Sequence, residues 1–324
     1  MDKVHFAVLG YGRIGKRHAE MILQHPEASL SALIDTDIQK QNGNTSFHSS
    51  IEEAVNTCSI DVVSIATPNG LHAQHALHAL SLSKHVVVEK PMALSAADAK
   101  RIVEKAKEVG KHVFVVMQNR YSSVIRWLKE VVDSGVLGSI YLVQTNCFWN
   151  RNEAYYQASD WHGKKDLDGG TLFTQFSHFI DLLYWLFGDI TNIQSRFYNY
   201  NHKDFTEFED SGVISFEFKN GAAGSLQFTT SVWDKSLESS VTIIAEKGSI
   251  KIGGQYMDQL EYCHVKDYEL PALNGYKMAN PATSNHYHII DDVVQTLKHK
   301  KTSGNISDAV QVVDVIERMY QSTW

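Results

Sequence analysis

The chain has 324 residues, 43% of them hydrophobic and 21% charged, which is enough for about two domains with ordinary hydrophobic cores. A net charge of -7 argues against a nucleic-acid partner, because phosphate binding needs a concentrated basic surface. Three widely spaced cysteines form neither a disulfide framework nor a metal motif, and no apolar run reaches membrane-helix length. We expect a cytoplasmic protein, because no cleavable leader precedes the first predicted strand.

The first 120 residues alternate short, β-branched apolar runs with helical patterns. The predicted strands are Val4–Leu9, Ser29–Ile34, Val62–Ala66, His85–Val88 and Val113–Met117. The predicted helices between them are Ile14–Leu23, Ile51–Asn56, His72–Leu82 and Ala96–Val109. This alternation is typical of parallel strands joined by crossover helices. We therefore predict a Rossmann domain, a doubly wound parallel sheet, over residues 1–120.

The pattern changes after residue 120. A predicted helix, Ile125–Ser134, leads into strands at Ile140–Cys147, Ser211–Phe218, Ala223–Ser231, Ser240–Ala245 and Ser249–Ile252. Two helices, about His286–Lys298 and Ser307–Gln321, close the chain. Consecutive strands joined by tight turns predict an α/β domain over residues 121–324 with a large, mostly antiparallel open sheet. Its last helix can pack back on the first domain, and its open sheet face favours a homodimer or homotetramer.

The first chemical motif, Gly10-Tyr11-Gly12-Arg13-Ile14-Gly15, follows a strand and opens a helix. In that context the glycines permit a tight turn, close approach of a pyrophosphate and close helix–strand packing. Asp35 ends the second strand, where a carboxylate binds adenosine ribose hydroxyls and repels a 2′-phosphate. We predict NAD as the cofactor, bound by these residues. The alternative is a nucleotide-free domain with a coincidental glycine turn.

Polar side chains follow the third predicted strand. Thr67 and Asn69 lie where open parallel sheets hold ligands, although Thr and Asn are also natural helix caps. His72, His75 and His78 follow at three-residue spacing, without a cysteine or acidic partner. We interpret that spacing as a solvated helix face and predict no metal. His72, nearest the strand end, remains a cofactor-site candidate.

Glu89-Lys90-Pro91 ends the fourth predicted strand. Partial burial near a bound cofactor lowers the pKa of a lysine, which then can give or take a proton. The alternative is a strand-end lysine that points into water.

Three motifs in this order resemble the glucose–fructose oxidoreductase, inositol dehydrogenase and MocA (Gfo/Idh/MocA) family. They are the glycine-rich turn, then Thr67-Pro68-Asn69, then Glu89-Lys90-Pro91. The resemblance covers essentially the whole chain. It implies oxidation or reduction of sugars, inositols and related carbonyls with NAD or NADP, and an antiparallel second domain. It also implies that Lys90 lies in the active site and that the Lys90–Pro91 peptide is cis.

The second-domain signature is the stretch from Asp168 through Leu183. By the resemblance His178 is catalytic, whereas Thr174 stands where many members have an aspartate. Lys90 and His178 would then share the proton transfer, with Gln175 orienting the substrate. We expect Gln175, His178 and Asp181 on one helix face. The alternative for His178 is a histidine satisfied within its helix.

A narrower resemblance rests on Gln118-Asn119-Arg120, Trp149-Asn150-Arg151, Tyr155-Tyr156 and Trp161-His162-Gly163. These stretches are similar to those of bacterial UDP-N-acetylglucosaminuronate 3-dehydrogenases, which implies oxidation of the C3 hydroxyl of a UDP-linked sugar acid. Arg151 would bind a carboxylate or diphosphate, and Trp161 or Tyr155 would stack on a ring. Alternatively, Trp149 and Tyr156 belong to the core and Arg151 forms a surface ion pair.

The predicted site residues fall into three groups. Lys90 and His178 are the catalytic candidates. The cofactor-binding candidates are Gly10, Tyr11, Gly12, Arg13, Ile14, Gly15, Asp35, Thr67, Asn69, His72, Glu89, Lys90 and Gln118. The substrate-binding candidates are Lys90, Asn119, Arg151, Trp161, Gln175 and His178. Two other functions stay open, an inositol or free-sugar dehydrogenase and a non-catalytic NAD-binding sensor.

Overall fold

The computed structural model describes residues 3–41, 43–254, 257–270, 285–301 and 306–323. The chain forms two compact units, each assembled from two segments. The first unit comprises Met1–Gln118 and Ala282–Val313, and the second comprises Asn119–Pro281 and Asp314–Trp324. Helices near the end of the chain therefore belong partly to the first unit.

The first unit contains a six-stranded, fully parallel sheet. In chain order its strands are β1 (Val4–Leu9), β2 (Ala28–Ile34), β3 (Ser46–His48), β4 (Val62–Ile65), β5 (His85–Val88) and β6 (Val113–Val115). The spatial order is β3-β2-β1-β4-β5-β6. Its helices are α1 (Arg13–Gln24), α2 (Ile51–Thr57), α3 (His72–Ser81), α4 (Ala96–Val109) and, from later in the chain, α9 (Asn285–His299). The predicted doubly wound Rossmann architecture is confirmed.

The sequence explains these elements locally. Val86, Val87 and Val88 of β5 are fully buried, as expected for a central parallel strand covered on both faces. The Ser95 hydroxyl caps α4 by accepting from the Asp98 N–H, and Gly110 ends the helix in the left-handed conformation. One element was not predicted: β3 has three residues and adds a sixth strand beside β2.

The second unit contains a seven-stranded sheet. Its strands are β7 (Ile140–Phe148), β8 (Ile190–Tyr198), β9 (Ser211–Phe218), β10 (Ala223–Thr229), β11 (Glu238–Ala245), β12 (Gly248–Gly253) and β13 (Gln259–Val265). They lie in the order β13-β12-β11-β7-β10-β9-β8. All neighbouring pairs are antiparallel except β10 with β7. The predicted, mostly antiparallel sheet is confirmed, and β8 and β13 are additions to it.

Helices complete the second unit. They are α5 (Ser123–Asp133), α6 (Glu153–Gln157), α7 (Thr171–Thr174) and α8 (Ser177–Phe187), and the boundary between the units falls within α10 (Ile306–Gln321). Residues of β9 alternate between buried and exposed, so one face of the sheet contributes to the core. Within the described ranges, no helix combines the length and apolar character that a bilayer-spanning segment requires.

Candidate active site

The glycine-rich turn joins β1 to α1 in the first unit. Gly10 has a φ of +88°, and a Cβ there would lie 2.7 Å from the Ala66 carbonyl oxygen. A Cβ on Gly15 would lie 1.9 Å from the Gly10 carbonyl oxygen, so that position requires glycine for packing. A Cβ on Gly12 would meet no atom within 4 Å, and no side chain caps α1 at this residue. The helix N-terminus therefore offers its N–H groups to an anion, as a dinucleotide pyrophosphate requires.

This difference between two glycines gives a matched pair of variants. Gly12→Ala should raise the Kd for NAD at least tenfold, since the backbone must closely approach the pyrophosphate. It should leave the melting temperature almost unchanged, because the added methyl group meets open space. Gly15→Ala should instead lower the melting temperature through its clash with the Gly10 carbonyl. Calorimetric titration and thermal melts test both, and unchanged NAD affinity in Gly12→Ala would contradict the assignment.

Asp35 follows β2 and is buried. Its carboxylate accepts hydrogen bonds from the Tyr11 N–H at 2.7 Å and the Asp37 N–H at 3.0 Å. Lys40 Nζ lies 3.0 Å from both carboxylate oxygens. Burial alone would raise the pKa of Asp35, but the bonds from Asp37, Lys40 and Tyr11 lower it below its usual value. The side chain is thus a fixed anion beside the glycine-rich turn, suited to ribose hydroxyls.

The segment after β4 is tied to the segment after β5 through His72. The His72 ring is 1% exposed, with Nε2 2.8 Å from the Thr67 carbonyl and Nδ1 2.7 Å from the Pro91 carbonyl. Burial lowers the pKa of His72, although the bonds to the Pro91 and Thr67 carbonyls oppose that shift. His75 instead contacts the Thr67 hydroxyl at 3.0 Å, and His78 pairs with Glu52 at 2.7 Å. His72 and His75 thus share Thr67, whereas His78 pairs elsewhere. The burial of His72 corrects the interpretation of the three histidines as one solvated helix face.

The Lys90–Pro91 peptide is cis, as the family resemblance implied. Lys90 is half-buried two residues after the end of β5, and its N–H donates to the Glu89 carboxylate at 3.2 Å. Glu89 itself is buried and contacts His18 Nε2 at 2.9 Å and His286 Nε2 at 3.6 Å. The sequence predicts Glu89 as a cofactor contact, whereas its contacts with these two histidines were not predicted. The available signal was that His18 lies one helical turn beyond Gly15, on the buried face of α1.

In the second unit Arg151 lies in an aromatic cage. Its guanidinium is 4.7 Å from the Trp149 ring centroid and 5.0 Å from that of Tyr155. Its Nε donates to the Gln175 Oε1 at 3.0 Å, and Gln175 in turn donates to the Tyr155 hydroxyl at 2.7 Å. Within the described part of the chain, Arg151 has no carboxylate partner, so the predicted alternative of a surface ion pair does not occur there.

A row of aromatic side chains extends from the Tyr155 ring that contacts Arg151. His162 stacks on Tyr155 with centroids 4.7 Å apart, and Trp161 lies 4.1 Å from His162. Tyr156 is buried among His202 and Phe205, which agrees with its interpretation as a core residue. Tyr155, His162 and Trp161 are half-buried, and their ring contacts form a row that begins at Tyr155, beside the Arg151 cation.

The signature after Asp168 does not form one continuous helix, which corrects the expectation of a single helical face. Helix α7 ends at Thr174 and α8 begins at Ser177, so Gln175 lies in the break while His178 and Asp181 share α8. The break turns the buried Gln175 side chain toward Arg151. Thr174 donates to the Asp168 carbonyl at 2.7 Å and also to its carboxylate.

Arg120 and Asp181 form a buried ion pair that was not predicted from the sequence. Arg120 Nη2 lies 2.5 Å from Asp181 Oδ1, and Nε lies 3.0 Å from Oδ2. The guanidinium also lies 5.2 Å from the Trp185 ring centroid. The pair ties the turn that contains the buried Asn119 to α8, the helix that carries His178. The two partners are far apart in sequence, so no local pattern indicated the contact.

Comparisons with known proteins decide the family. A model described as an oxidoreductase family with an NAD-binding Rossmann fold matches residues 4–117, and a GFO/IDH/MocA C-terminal domain model matches residues 125–251. The crystal structure of the WlbA dehydrogenase from Bordetella pertussis, in complex with NADH and UDP-GlcNAcA, is 30% identical to this chain. The match covers 99% of this chain and 95% of that one, with a TM-score of 0.91. The chain belongs to the Gfo/Idh/MocA family.

More distant relatives of this Gfo/Idh/MocA protein differ in their substrates. The inositol 2-dehydrogenase of Rubrobacter xylanophilus is 28% identical over 78% of this chain and 72% of that protein. A 1-carboxy-3-chloro-3,4-dihydroxycyclohexa-1,5-diene dehydrogenase of Comamonas testosteroni is 29% identical over 70% of this chain, and the match spans 58% of its length. The protein is an NAD-dependent sugar oxidoreductase, and NAD supplies the hydride acceptor when bound.

One position departs from the Gfo/Idh/MocA pattern. Where many members have an aspartate, Thr174 binds the carboxylate of Asp168 instead of supplying one. Asp168 is buried and also accepts from the Gly163 N–H at 2.8 Å. The side chain at position 174 thus fixes the loop that carries Trp161 and His162. The roles of the remaining predicted site residues stay predictions.

Proposed function

We propose that this oxidoreductase oxidises the C3 hydroxyl of a UDP-linked N-acetyl sugar acid, with NAD as the hydride acceptor. The similarity to WlbA, which was crystallised with UDP-GlcNAcA, supports this substrate class. The sequence stretches around Arg151 and Trp161, which resemble those of UDP-N-acetylglucosaminuronate 3-dehydrogenases, agree with it.

The observation that carries the proposal is the environment of Arg151. Its guanidinium lies between two aromatic rings and is oriented by Gln175, while its Nη1 donates to the Asn150 carbonyl at 2.8 Å. A cation fixed in this way without a protein carboxylate is suited to an anionic ligand group. The planar guanidinium binds a carboxylate or a diphosphate better than it binds a neutral hydroxyl group.

Proton transfer is assigned to Lys90 and His178. Oxidation of an alcohol requires a base that removes the hydroxyl proton as hydride leaves the carbon. Lys90 follows β5 at the carboxyl end of the parallel sheet, where open α/β sheets hold their ligands. His178 lies in the first turn of α8, and the break before that turn separates it from Gln175. We propose that Lys90 is the principal base and that His178 assists it.

The experiment compares two nucleotide sugars that differ in one carboxylate. Arg151→Ala should lower kcat/KM for UDP-N-acetylglucosaminuronate roughly 10- to 100-fold, since a hydrogen bond to a charged group contributes about 1.5–3 kcal/mol. NAD reduction at 340 nm provides the measurement. If Arg151 binds the carboxylate, the variant should lower kcat/KM for UDP-N-acetylglucosamine, which lacks that group, much less. If Arg151 binds the diphosphate, kcat/KM should fall by the same factor for both substrates. Arg196→Ala, on β8, is the control and should leave both substrates unaffected.

The same assay separates the alternatives. If the wild-type protein turned over only inositols or free hexoses, the nucleotide-sugar proposal would be wrong, although the family assignment would stand. An absence of turnover with every substrate, combined with intact NAD binding, would favour the non-catalytic NAD sensor. If Arg151→Ala left turnover of the nucleotide sugar acid unchanged, the proposed substrate would stand and the proposed role of Arg151 would be wrong.

A further inference from the structure

A buried cluster of His18, Glu89 and His286 lies within the first unit. It joins α1, the end of β5 and α9, and all three residues are less than a tenth exposed. His18 Nε2 lies 2.9 Å and His286 Nε2 3.6 Å from the same oxygen, Glu89 Oε1. The other carboxylate oxygen accepts from the Lys90 N–H at 3.2 Å. The cluster is therefore adjacent in structure to the lysine assigned to proton transfer.

The hydrogen bonds define the charge of this cluster. His18 Nδ1 lies 2.8 Å from the hydroxyl of the buried Ser64, which can donate to it while Nε2–H donates to Glu89. Burial lowers the pKa of His286, although Glu89 opposes that shift. Burial would raise the pKa of Glu89, but the bonds from His18 and His286 hold it well below its usual value. The Glu89 carboxylate is thus held as an anion between the two buried rings.

The position of this charge matters for the cofactor. Glu89 directly follows β5, at the carboxyl edge of the sheet where the NAD-binding fold places its ligand. The nicotinamide ring is cationic in NAD⁺ and neutral in NADH. A buried anion at that edge interacts more favourably with the cationic ring, because a low-dielectric surrounding strengthens the attraction.

We propose that Glu89, held as an anion by His18 and His286, sets the relative affinity of the protein for NAD⁺ and NADH in favour of NAD⁺. The role is independent of which sugar is the substrate. Glu89 also positions Lys90 through the backbone N–H, but the redox preference follows from the charge and not from that contact.

The test measures cofactor binding without a sugar. Glu89→Gln keeps the shape and removes the charge, so the ratio of the Kd for NAD⁺ to the Kd for NADH should rise roughly tenfold. A tenfold change corresponds to about 30 mV in the reduction potential of the bound two-electron couple. Glu89→Asp retains the charge and should keep the ratio near that of the wild type. Glu104→Gln, on the exposed face of α4, is the matched control.

A second variant tests the charge if Glu89→Gln does not fold. His286→Lys would place an ammonium against Glu89 and neutralise the cluster, which should shift the Kd ratio in the same direction. Equal weakening of both cofactor forms in these variants would overturn the proposal in favour of positioning alone.

The three side chains could also hold a metal ion, because their ligand atoms all lie within 4.8 Å of one another. Metal analysis of the purified wild-type protein decides this point. Stoichiometric zinc that is lost in Glu89→Gln would overturn the proposal, since the carboxylate charge would then be neutralised by the ion. A metal-free protein with the shifted Kd ratio would support it.

Discussion

Replacing Lys90 with methionine should lower kcat by about 10² to 10⁴-fold while the Kd for NAD changes less than threefold. Methionine preserves most of the length and apolar contacts of the lysine side chain but cannot accept or donate a proton. Lys90 is half-buried at the end of β5, outside the glycine-rich turn and Asp35 that we assign to the dinucleotide. Steady-state kinetics at 340 nm and calorimetric NAD titration together measure the two effects.

Lys107→Met provides the matched control for this variant. Lys107 is an exposed lysine in the last turn of α4, in the same unit, and its replacement should leave kcat unchanged. The pH dependence of kcat/KM adds a second readout, because removal of a catalytic base abolishes the acidic limb of the profile. If Lys90→Met turned over substrate at the rate of the wild-type protein, another group would have to remove the proton.

Asp181→Ala should reduce the free energy of unfolding by about 3–5 kcal/mol, because it leaves the buried Arg120 guanidinium without its counter-ion. Both side chains are less than a tenth exposed, and three short contacts join them. Urea denaturation followed by tryptophan fluorescence measures the change. We expect catalysis to fall as well, since the pair fixes α8 and therefore His178.

Two variants separate the ion pair from general packing. Asp133→Ala removes the partner of Lys129 on the exposed face of α5 and should cost less than about 1 kcal/mol. The double variant Arg120→Met with Asp181→Leu removes both charges and should recover most of the stability lost in Asp181→Ala. A double variant as unstable as the single one would contradict this account, because packing and not charge would then dominate.

Much of the fold follows from local sequence pattern. Strands such as β5 are runs of β-branched residues bounded by turn residues, and the glycine-rich turn marks the junction of β1 and α1. Periodicity did not reveal β3, since three residues are too few to show alternation. It also did not reveal the parallel pairing of β7 with β10, because strand pairing depends on contacts between distant segments.

The candidate site was predictable where the chemistry lies in one contiguous motif. Gly10 through Gly15, Asp35 and the residues around Lys90 were identified in this way. The pairs that depend on long sequence separation were not, among them Arg120 with Asp181 and Glu89 with His286. The helix break at Gln175 was missed because the apolar spacing continues through it, while the hydrogen bond to Arg151 fixes the local conformation.

The origin of α9 near the end of the chain has a consequence for synthesis. The first unit contains the earliest residues, but His286, a partner of the buried Glu89, is translated after nearly all of the second unit. A nascent chain that has produced every strand of the parallel sheet therefore still exposes the side of α1 that α9 covers. Folding of the nucleotide-binding unit can reach only an incomplete intermediate until α9 has emerged from the ribosome.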